Sequence, residues 1–159
     1  MLTEVIASMA SNFAASDVLV IPVPLHVRKL RERGFNQSEL IAKAALKLNP
    51  AGERLTLAPK ALERRRETRS QIGLSSHQRR ENMRGAFAVT DSDQVYGHEI
   101  LLVDDVLTTG TTASECARVL RRSGASKIWV ATVARTLKEH ANSALPEPTG
   151  ESMVMAAHG

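Results

Sequence analysis

Five segments predict β-strands, and the apolar run from Ile100 to Val103 is typical of a parallel strand that is buried on both faces. Helices cover both sides of a parallel sheet, so its strands have nearly continuous apolar sequences. The predicted strands are Val18 to Pro22, Arg54 to Ala58, Phe87 to Val89, Glu99 to Val103 and Ser126 to Val133. The first strand ends at Pro22 and Pro24, because neither residue has the N–H group that a ladder of hydrogen bonds needs.

Three further segments carry apolar residues at helical spacing. Residues 3–15 place Val5, Ile6, Met9, Ala10 and Phe13 on one face, and residues 37–48 are predicted to turn Leu40, Ile41, Ala44, Ala45 and Leu48 inward. The third helix carries Ala113, Cys116, Ala117 and Leu120 at i, i+3, i+4 and i+7, and ends at Gly124. Alternating strands and helices predict an α/β fold, with a mostly parallel sheet flanked by helices and joined by right-handed crossovers.

The segments between these elements are polar. Residues 24–36 are predicted to form a basic connection, and residues 91–93 a turn. Residues 59–85 are arginine-rich and only weakly periodic. A connection of that length favours a functional loop, so residues 63–85 are predicted to form a flexible lid, with a disordered basic loop as the alternative.

Length and composition narrow the class of protein. The 159 residues suit a single domain, predicted to span residues 1–140, followed by a loose tail over residues 141–159 that begins near the prolines at 146 and 148. One cysteine excludes an internal disulfide and a zinc ribbon, and Cys116 on an apolar helix face is predicted to be a core residue. No apolar run is long enough to span a membrane, so a cytoplasmic location is expected.

The order of residues from Ile100 to Thr112 predicts a site for a phosphorylated sugar. Parallel sheets bind ligands beyond the carboxyl ends of their strands, where this sequence places Asp104 and Asp105, just after the predicted strand. A short turn follows, made of Thr108, Thr109, Gly110, Thr111 and Thr112. Its N–H groups and hydroxyls, together with the positive end of the next helix, suit a phosphate, while the two carboxylates suit sugar hydroxyls. No GxxxxGK[ST] motif occurs, which disfavours a Walker-type ATPase.

The basic residues are concentrated in two places. The formal net charge is +4, and arginines crowd residues 28–33 and 64–84. Both clusters fall in predicted connections at strand ends, which favours binding of a polyanion, either a nucleic acid or a highly phosphorylated sugar. Three Phe, one Trp and one Tyr are too few for a base-stacking platform, which counts against direct binding of single-stranded DNA.

The turn from Asp104 to Thr112 resembles the phosphoribosyl pyrophosphate loop of type I phosphoribosyltransferases. Two further segments make the chain resemble more closely the ComF family of phosphoribosyltransferase-like competence proteins. They are Ile21-Pro22-Val23-Pro24-Leu25-His26 with Arg33-Gly34-Phe35-Asn36-Gln37, and then Arg69, Gln71, Leu74, Arg79, Asn82 and Phe87. Many members of that family carry a cysteine-rich, zinc-binding segment before the first strand, and this sequence contains none.

The resemblance implies a protein that binds phosphoribosyl pyrophosphate with Mg²⁺ and transfers its phosphoribosyl group to a nitrogen acceptor. Asp104 and Asp105 are expected to hold the ribose and to reach Mg²⁺ through water. His26, Arg28 and Arg33 are expected to bind the pyrophosphate, although His26 fits a capping role equally well. Arg69, Arg79 and Arg84 are expected to neutralise the leaving group from the lid. Arg135, at the end of the last strand, faces either the acceptor or a salt-bridge partner.

Two alternatives to this enzyme remain open at the level of sequence. One is a sensor that binds phosphoribosyl pyrophosphate or a nucleotide without turning it over, because no acceptor-base site is recognisable. The other is a partner of DNA-uptake proteins that handles single-stranded DNA. A homodimer fits any of the three. The identity of the acceptor is not encoded in any motif of this chain.

Overall fold

Five parallel strands form the central sheet of the computed structural model, which describes residues 17–48, 54–68, 73–135 and 152–153. The order across the sheet is β2-β1-β5-β6-β7. Its strands are β1 (Val18–Pro22), β2 (Leu55–Leu57), β5 (Glu99–Leu107), β6 (Lys127–Arg135) and β7 (Ser152–Met153). A separate antiparallel pair joins β3 (Leu62–Arg64) to β4 (Phe87–Val89). The α/β class and the mostly parallel sheet predicted from the sequence are therefore confirmed.

The helices that the structure describes lie on both faces of this sheet. They are α1 (Val27–Arg33), α2 (Gln37–Lys47), α3 (Ser76–Met83), α4 (Ser92–Val95) and α5 (Thr111–Arg122). Ala42 and Ala45 of α2 pack on one face together with Val20, Leu101 and Trp129. On the other face, Cys116 and Leu120 of α5 pack with Ile21, Ile100 and Ile128, and the β3–β4 pair joins this second cluster. Cys116 is fully buried, as predicted for a core residue.

The carboxyl ends of β1, β5 and β6 meet at one edge of the sheet. Pro22 of β1 pairs with Val103 of β5, and Leu107 of β5 pairs with Arg135, the last residue of β6. Beyond that edge, the N–H group of Val23 donates to the carbonyl of Val103 at 2.8 Å. The segments that follow these three strands are consequently neighbours, as the sequence predicts for a ligand site.

Several predicted connections are folded. The basic connection over 24–36 contains helix α1, and the turn over 91–93 begins α4, which Asp91 caps through the N–H groups of Asp93 and Gln94. The prediction of an aperiodic loop over 59–85 is wrong for β3 and for α3. Within the predicted loose tail over 141–159, Ser152–Met153 pairs with β6. The predicted helix over 3–15 lies outside the described residues.

The predicted inward face of α2 is partly wrong. Ser38, Ala42 and Ala45 are its buried residues, whereas Leu40 and Leu48 are 50% and 69% exposed. Small side chains allow a helix axis to lie close to the sheet. The side chains of Ser38, Ala42 and Ala45 are smaller than the leucine side chains on the other face of this helix. The larger leucine side chains therefore remain on the outside.

Candidate functional site

A sharp reversal between β5 and α5 builds the predicted phosphate cradle. Gly110 is the N-cap of α5 and adopts the left-handed conformation, with φ 71° and ψ −1°. Its carbonyl accepts a hydrogen bond from the N–H group of Ser114 at 2.8 Å, so the helix starts directly at this turn. The preceding N–H groups of the first turn have no partner within a helix and are available to an anion.

A small notch lies against this turn. Its lining combines one carboxylate with the helix start: Asp104, Val106, Leu107, Thr108, Gly110, Thr111, Thr112 and Ala113. The structure thus brings together Asp104 and four of the five predicted loop residues. Thr109 faces away from the notch, and its hydroxyl is 2.9 Å from that of Thr111.

Asp104 and Asp105 belong to β5, which corrects the prediction that they follow the strand. Asp104 pairs with Thr132 of β6 and is 8% exposed, and Asp105 is half-buried. The strand continues because the neighbouring β6 is equally long, at nine residues. Both carboxylates are therefore held by a sheet and not by a flexible loop.

The Asp104 carboxylate has few hydrogen-bond donors. One of its oxygens accepts from the N–H group of Asp105 at 3.0 Å and from the Ser38 hydroxyl at 3.5 Å. Burial, followed by repulsion from Asp105, raises the pKa of Asp104 to about 7. A cation or a pair of sugar hydroxyls beside this carboxylate would relieve both effects.

Asn36 holds the segment after β1, and its contacts were not predicted from the sequence. Its amide group donates to the Val23 carbonyl at 3.0 Å, and its side-chain oxygen caps α2 by accepting from the N–H group of Ser38. Ser38 then reaches Asp104 from the first turn of α2. An Asn followed by a helical pattern is the cap signal that would have identified this residue.

The predicted pyrophosphate residues flank this segment. His26 occupies the N-cap position of α1, but its side chain forms no capping hydrogen bond, so the structure does not show the capping role that the sequence left open. Its Nδ1 atom is buried without a hydrogen-bond partner in the described part of the chain. Arg28 is exposed and pairs with Glu32 at 3.0 Å and with Glu67 at 3.5 Å. Arg33 is exposed and donates to the Gln37 side chain at 3.1 Å. The three side chains are near one edge but do not converge on one point in this conformation.

Arg64 is a further basic residue that interacts electrostatically with Asp104, and the sequence analysis placed it only in an arginine cluster. Its guanidinium lies 5.5 Å from the centre of the Phe87 ring and donates to the Thr68 hydroxyl. Burial lowers the pKa of Arg64, while attraction to the Asp104 carboxylate opposes that shift. Its Nε is buried without a partner in the described residues, as is that of Arg79 on α3. Such atoms are the ones that a ligand or ordered water would satisfy.

Of the predicted lid arginines, Arg79 and Arg84 lie in and just after α3, and Arg69 lies outside the described residues. The segment is braced from both sides. Arg66 donates to the carbonyls of Asn82 and Arg84 at 2.8 and 2.9 Å, and Ser75 and Gln78 form a reciprocal capping box.

Glu115 ties this segment to the cradle helix. It is 9% exposed, accepts from the N–H group of Gly85 at 2.7 Å, and holds Arg118 through two hydrogen bonds of 2.7 and 2.8 Å. The bonds to Arg118, chiefly, lower the pKa of Glu115, although burial opposes them. No motif marked this residue, because the contact joins positions 30 apart in the chain.

We expect Glu115→Ala to lower the free energy of unfolding by about 1 to 3 kcal/mol, because it removes the charged acceptor of the Gly85 N–H group and of the Arg118 guanidinium. Glu115→Gln keeps an acceptor oxygen and should cost less. Urea unfolding followed by circular dichroism measures both. Glu81→Gln is the matched control, since Glu81 is exposed and 3.8 Å from Arg84. Equal stabilities of the Glu115→Ala and Glu81→Gln variants would contradict this role.

We expect Gly110→Val to destabilise the fold and to abolish phosphate binding. A side chain in the left-handed region costs about 1 to 2 kcal/mol, and more when it is β-branched. There is room for a Cβ atom in the free protein, since its nearest neighbour is 3.9 Å away, so the effect on stability arises from the backbone. Gly97→Val is the control, because Gly97 has a similar φ of 75° at the opposite end of β5. Calorimetry with phosphoribosyl pyrophosphate should separate the two variants, and equal affinities would place the cradle elsewhere.

A family model described as "Phosphoribosyl transferase domain" matches residues 39–150, which include the carboxylates, the Gly110 turn and α5. The chain belongs to this family. Among solved structures, a hypoxanthine phosphoribosyltransferase from Staphylococcus aureus superposes with a TM-score of 0.58 and covers 97% of this chain and 71% of that one. The identity is 11%, so this likeness shows the fold alone: a type I phosphoribosyltransferase-like fold.

The resemblance to ComF proteins is also confirmed. The chain is 38% identical over 120 residues to DNA utilization protein YhgH of Escherichia coli O157:H7, and 33% identical over 117 residues to Competence protein F of Haemophilus influenzae. These matches cover 74% and 73% of this chain but 49% of each relative, so the chain spans about half the length of the curated relatives it matches. A ribose-phosphate pyrophosphokinase of Pyrococcus abyssi is 39% identical over 85 residues, which is 50% of this chain and 30% of that protein. Within the ranges described above, no helix is long and apolar enough to cross a membrane.

Proposed function

We propose that this protein binds phosphoribosyl pyrophosphate together with Mg²⁺ and transfers the phosphoribosyl group to a nitrogen nucleophile. The observation that carries the proposal is the shared notch of Asp104 and the Gly110 turn. It offers hydrogen-bond acceptors for ribose hydroxyls beside donors for the 5-phosphate. Membership of the phosphoribosyl transferase domain family supports the assignment of the ribose to Asp104 and of the 5-phosphate to the Gly110 turn.

The acidic pair fits Mg²⁺. Carboxylate oxygens are the ligands this ion prefers, and it is usually bound by one or two of them together with substrate phosphates and water. Burial and then repulsion from Asp105 raise the pKa of Asp104, and a cation bound beside the carboxylate would lower it again. Asp104 and Asp105 would reach the ion through water, and the bound ion would supply charge neutralisation on the pyrophosphate.

The side chains around the notch would bind the pyrophosphate, the acceptor and the leaving group. His26, Arg28 and Arg33 reach the same edge of the sheet from the segment after β1 and would take the pyrophosphate. Arg64, near Asp104, would add positive charge on the side of the β3–β4 pair. Arg135 ends β6 opposite Leu107, which suits contact with the acceptor. Arg69, Arg79 and Arg84 would cover the leaving group and exclude water, which otherwise hydrolyses the activated sugar.

Titration calorimetry with phosphoribosyl pyrophosphate, with and without Mg²⁺, tests the binding step. We expect phosphoribosyl pyrophosphate to bind saturably and only when Mg²⁺ is present. Ribose 5-phosphate should be a weak competitor for the same site. Absence of binding at millimolar ligand would overturn the proposal. Release of pyrophosphate on adding a panel of bases and amines then separates an enzyme from a sensor of the same ligand.

We expect the arginine-rich segment to respond to the ligand. Saturating phosphoribosyl pyrophosphate with Mg²⁺ should slow trypsin cleavage at Arg64 to Arg84 far more than inorganic phosphate does, because several Arg–phosphate contacts would hold the segment closed. Gel electrophoresis and mass spectrometry locate the cuts. Cleavage that is equal with and without ligand would remove the lid role from this segment.

Handling of DNA is the second candidate function, and the names of the relatives favour it. The arginines of α1 and of the segment from β3 to α3 would provide the phosphate contacts. A fluorescence titration with a single-stranded oligonucleotide over a range of salt concentrations tests this function, because phosphate contacts give a steep salt dependence.

A further inference from the structure

Helix α1 lies on the surface of the protein, and none of its residues is buried. A helix of seven residues is marginal in water on its own, since most helical stability in proteins comes from the packing of an apolar face. The fold itself supplies little of that packing to α1. A partner that covers the helix would therefore stabilise it.

Helix α1 carries an exposed apolar stripe. Val27 and Leu30 stand at i and i+3 and are 52% and 40% exposed, and Phe35, just after the helix, is 47% exposed. The helix ends in a left-handed turn at Gly34, whose N–H group donates to the Leu30 carbonyl at 2.8 Å. Turns of this kind commonly bring the residue after the glycine next to the residue whose carbonyl accepts. Phe35 is thus placed to continue the stripe.

Positive charge flanks this stripe. Arg31 follows Val27 at i+4 and so lies on the same side of α1, and Lys29 lies beside it. Among the residues that the structure describes, no acid pairs with Lys29 or Arg31, and the acid of α1 itself, Glu32, is bound by Arg28 at 3.0 Å. An apolar patch rimmed by charge is typical of an interaction surface.

The chemistry of this surface favours an acidic protein segment over other occupants. Single-stranded nucleic acid stacks its bases on aromatic rings, whereas Val27 and Leu30 are aliphatic. A second copy that used the same surface would bring like charges together across a two-fold axis. Helices that lie on membranes have a large apolar face, and α1 offers only two aliphatic side chains.

We propose that α1 and Phe35 form a docking site for a segment of another protein that carries Asp or Glu beside apolar side chains. The apolar side chains of the segment cover Val27, Leu30 and Phe35, and its carboxylates pair with Lys29 and Arg31. None of these five residues is assigned to phosphoribosyl pyrophosphate, so the docking site is independent of the proposed function.

Fluorescence anisotropy with a labelled synthetic peptide tests the proposal on the full chain. The probe has leucine at every third and fourth position and glutamate at the others, and a matched peptide has serine in place of leucine. We expect saturable binding of the leucine peptide and at least tenfold weaker binding of the serine peptide. Added salt should also weaken binding, because it screens ion pairs at a surface.

Two double variants test the apolar and the charged contributions separately. Val27→Ser/Leu30→Ser and Lys29→Gln/Arg31→Gln should each weaken binding of the leucine peptide at least tenfold. All four positions are exposed, so both variants should remain folded, which circular dichroism checks.

Each variant has a matched control. Leu48→Ser/Tyr96→Ser removes apolar side chains that are 69% and 73% exposed elsewhere on the protein. Lys47→Gln/Arg122→Gln removes the same charge from exposed positions outside α1. Both controls should leave the affinity for the leucine peptide unchanged.

Three peptide results would overturn the proposal: no binding at millimolar concentration, equal binding of the serine peptide, and an equal loss in the control variants. An oligonucleotide that binds tightly and loses affinity in the α1 variants, while the peptide does not bind, would assign α1 to nucleic acid. A dimer that Val27→Ser/Leu30→Ser dissociates in sedimentation equilibrium would assign the stripe to a second copy. A failure of phosphoribosyl pyrophosphate to bind sinks the proposed function but leaves these titrations intact.

Discussion

Replacing both Asp104 and Asp105 by asparagine should weaken the binding of phosphoribosyl pyrophosphate on the order of a hundredfold or more. A hydrogen bond to a charged group contributes about 1.5 to 3 kcal/mol, and both carboxylates lose that charge in the double variant. Asparagine has nearly the same shape and keeps one acceptor oxygen, so strand β5 should remain paired with β6. Calorimetry in the presence of Mg²⁺ measures the loss.

The control for this variant is Asp91→Asn/Asp93→Asn. It removes the same charge from α4, which precedes β5 at the opposite end of the sheet, and asparagine is as good a helix cap as aspartate. An unchanged affinity in the β5 variant would remove the acidic pair from the site. An equal loss in both variants would show that only net charge matters.

Asp104→Asn alone should change how stability depends on pH. The folded protein raises the pKa of Asp104 from 3.8 to about 7, so between these values the folded state binds more protons than the unfolded chain. The contribution of Asp104 to stability therefore falls as the pH rises through this window. Three units of pKa correspond to about 4 kcal/mol at most. The variant, which has no charge to bury, should escape that loss.

Urea unfolding of the ligand-free protein at pH 5 and pH 8 measures this effect. From pH 5 to pH 8, the free energy of unfolding of Asp104→Asn should rise by about 2 to 3 kcal/mol relative to that of the parent. Asp91→Asn is a suitable control because it changes an exposed carboxylate. Parallel pH dependences of parent and Asp104→Asn would show that the carboxylate is solvated in the free protein.

The parts of the fold that follow from local pattern were predictable. The apolar runs of β1, β5 and β6 are buried on both faces, and the stripe of Ala113, Cys116, Ala117 and Leu120 on α5 is buried as its spacing requires. The turn between β5 and α5 was also predictable, because a glycine directly before an amphipathic helical pattern is typical of a sharp reversal at the helix start.

The spacing of apolar residues did not predict the elements that depend on polar contacts. Helix α3 has no apolar face; it is defined by the capping box of Ser75 and Gln78 and by the distant contacts of Arg66 and Glu115. The Ser-x-x-Gln spacing was a local signal for its start. The extension of β5 through the carboxylates had no such signal, since it depends on pairing with a strand that comes 20 residues later in the chain.

The ion pair between Arg28 and Glu67 links the two arginine-rich segments in the free protein. The side chains of Arg28 and Glu67 are 67% and 46% exposed, and ion pairs with this exposure contribute about 1 kcal/mol or less. A pyrophosphate bound as proposed would carry several charges and could form bidentate contacts, so it would compete with one carboxylate for this guanidinium. Arg28 would then bind the pyrophosphate in place of Glu67, and the Glu67 carboxylate would be repelled by the bound pyrophosphate. Arrival of the ligand would in this way uncouple the segment after β1 from the segment after β3, and leave each free to adjust around it.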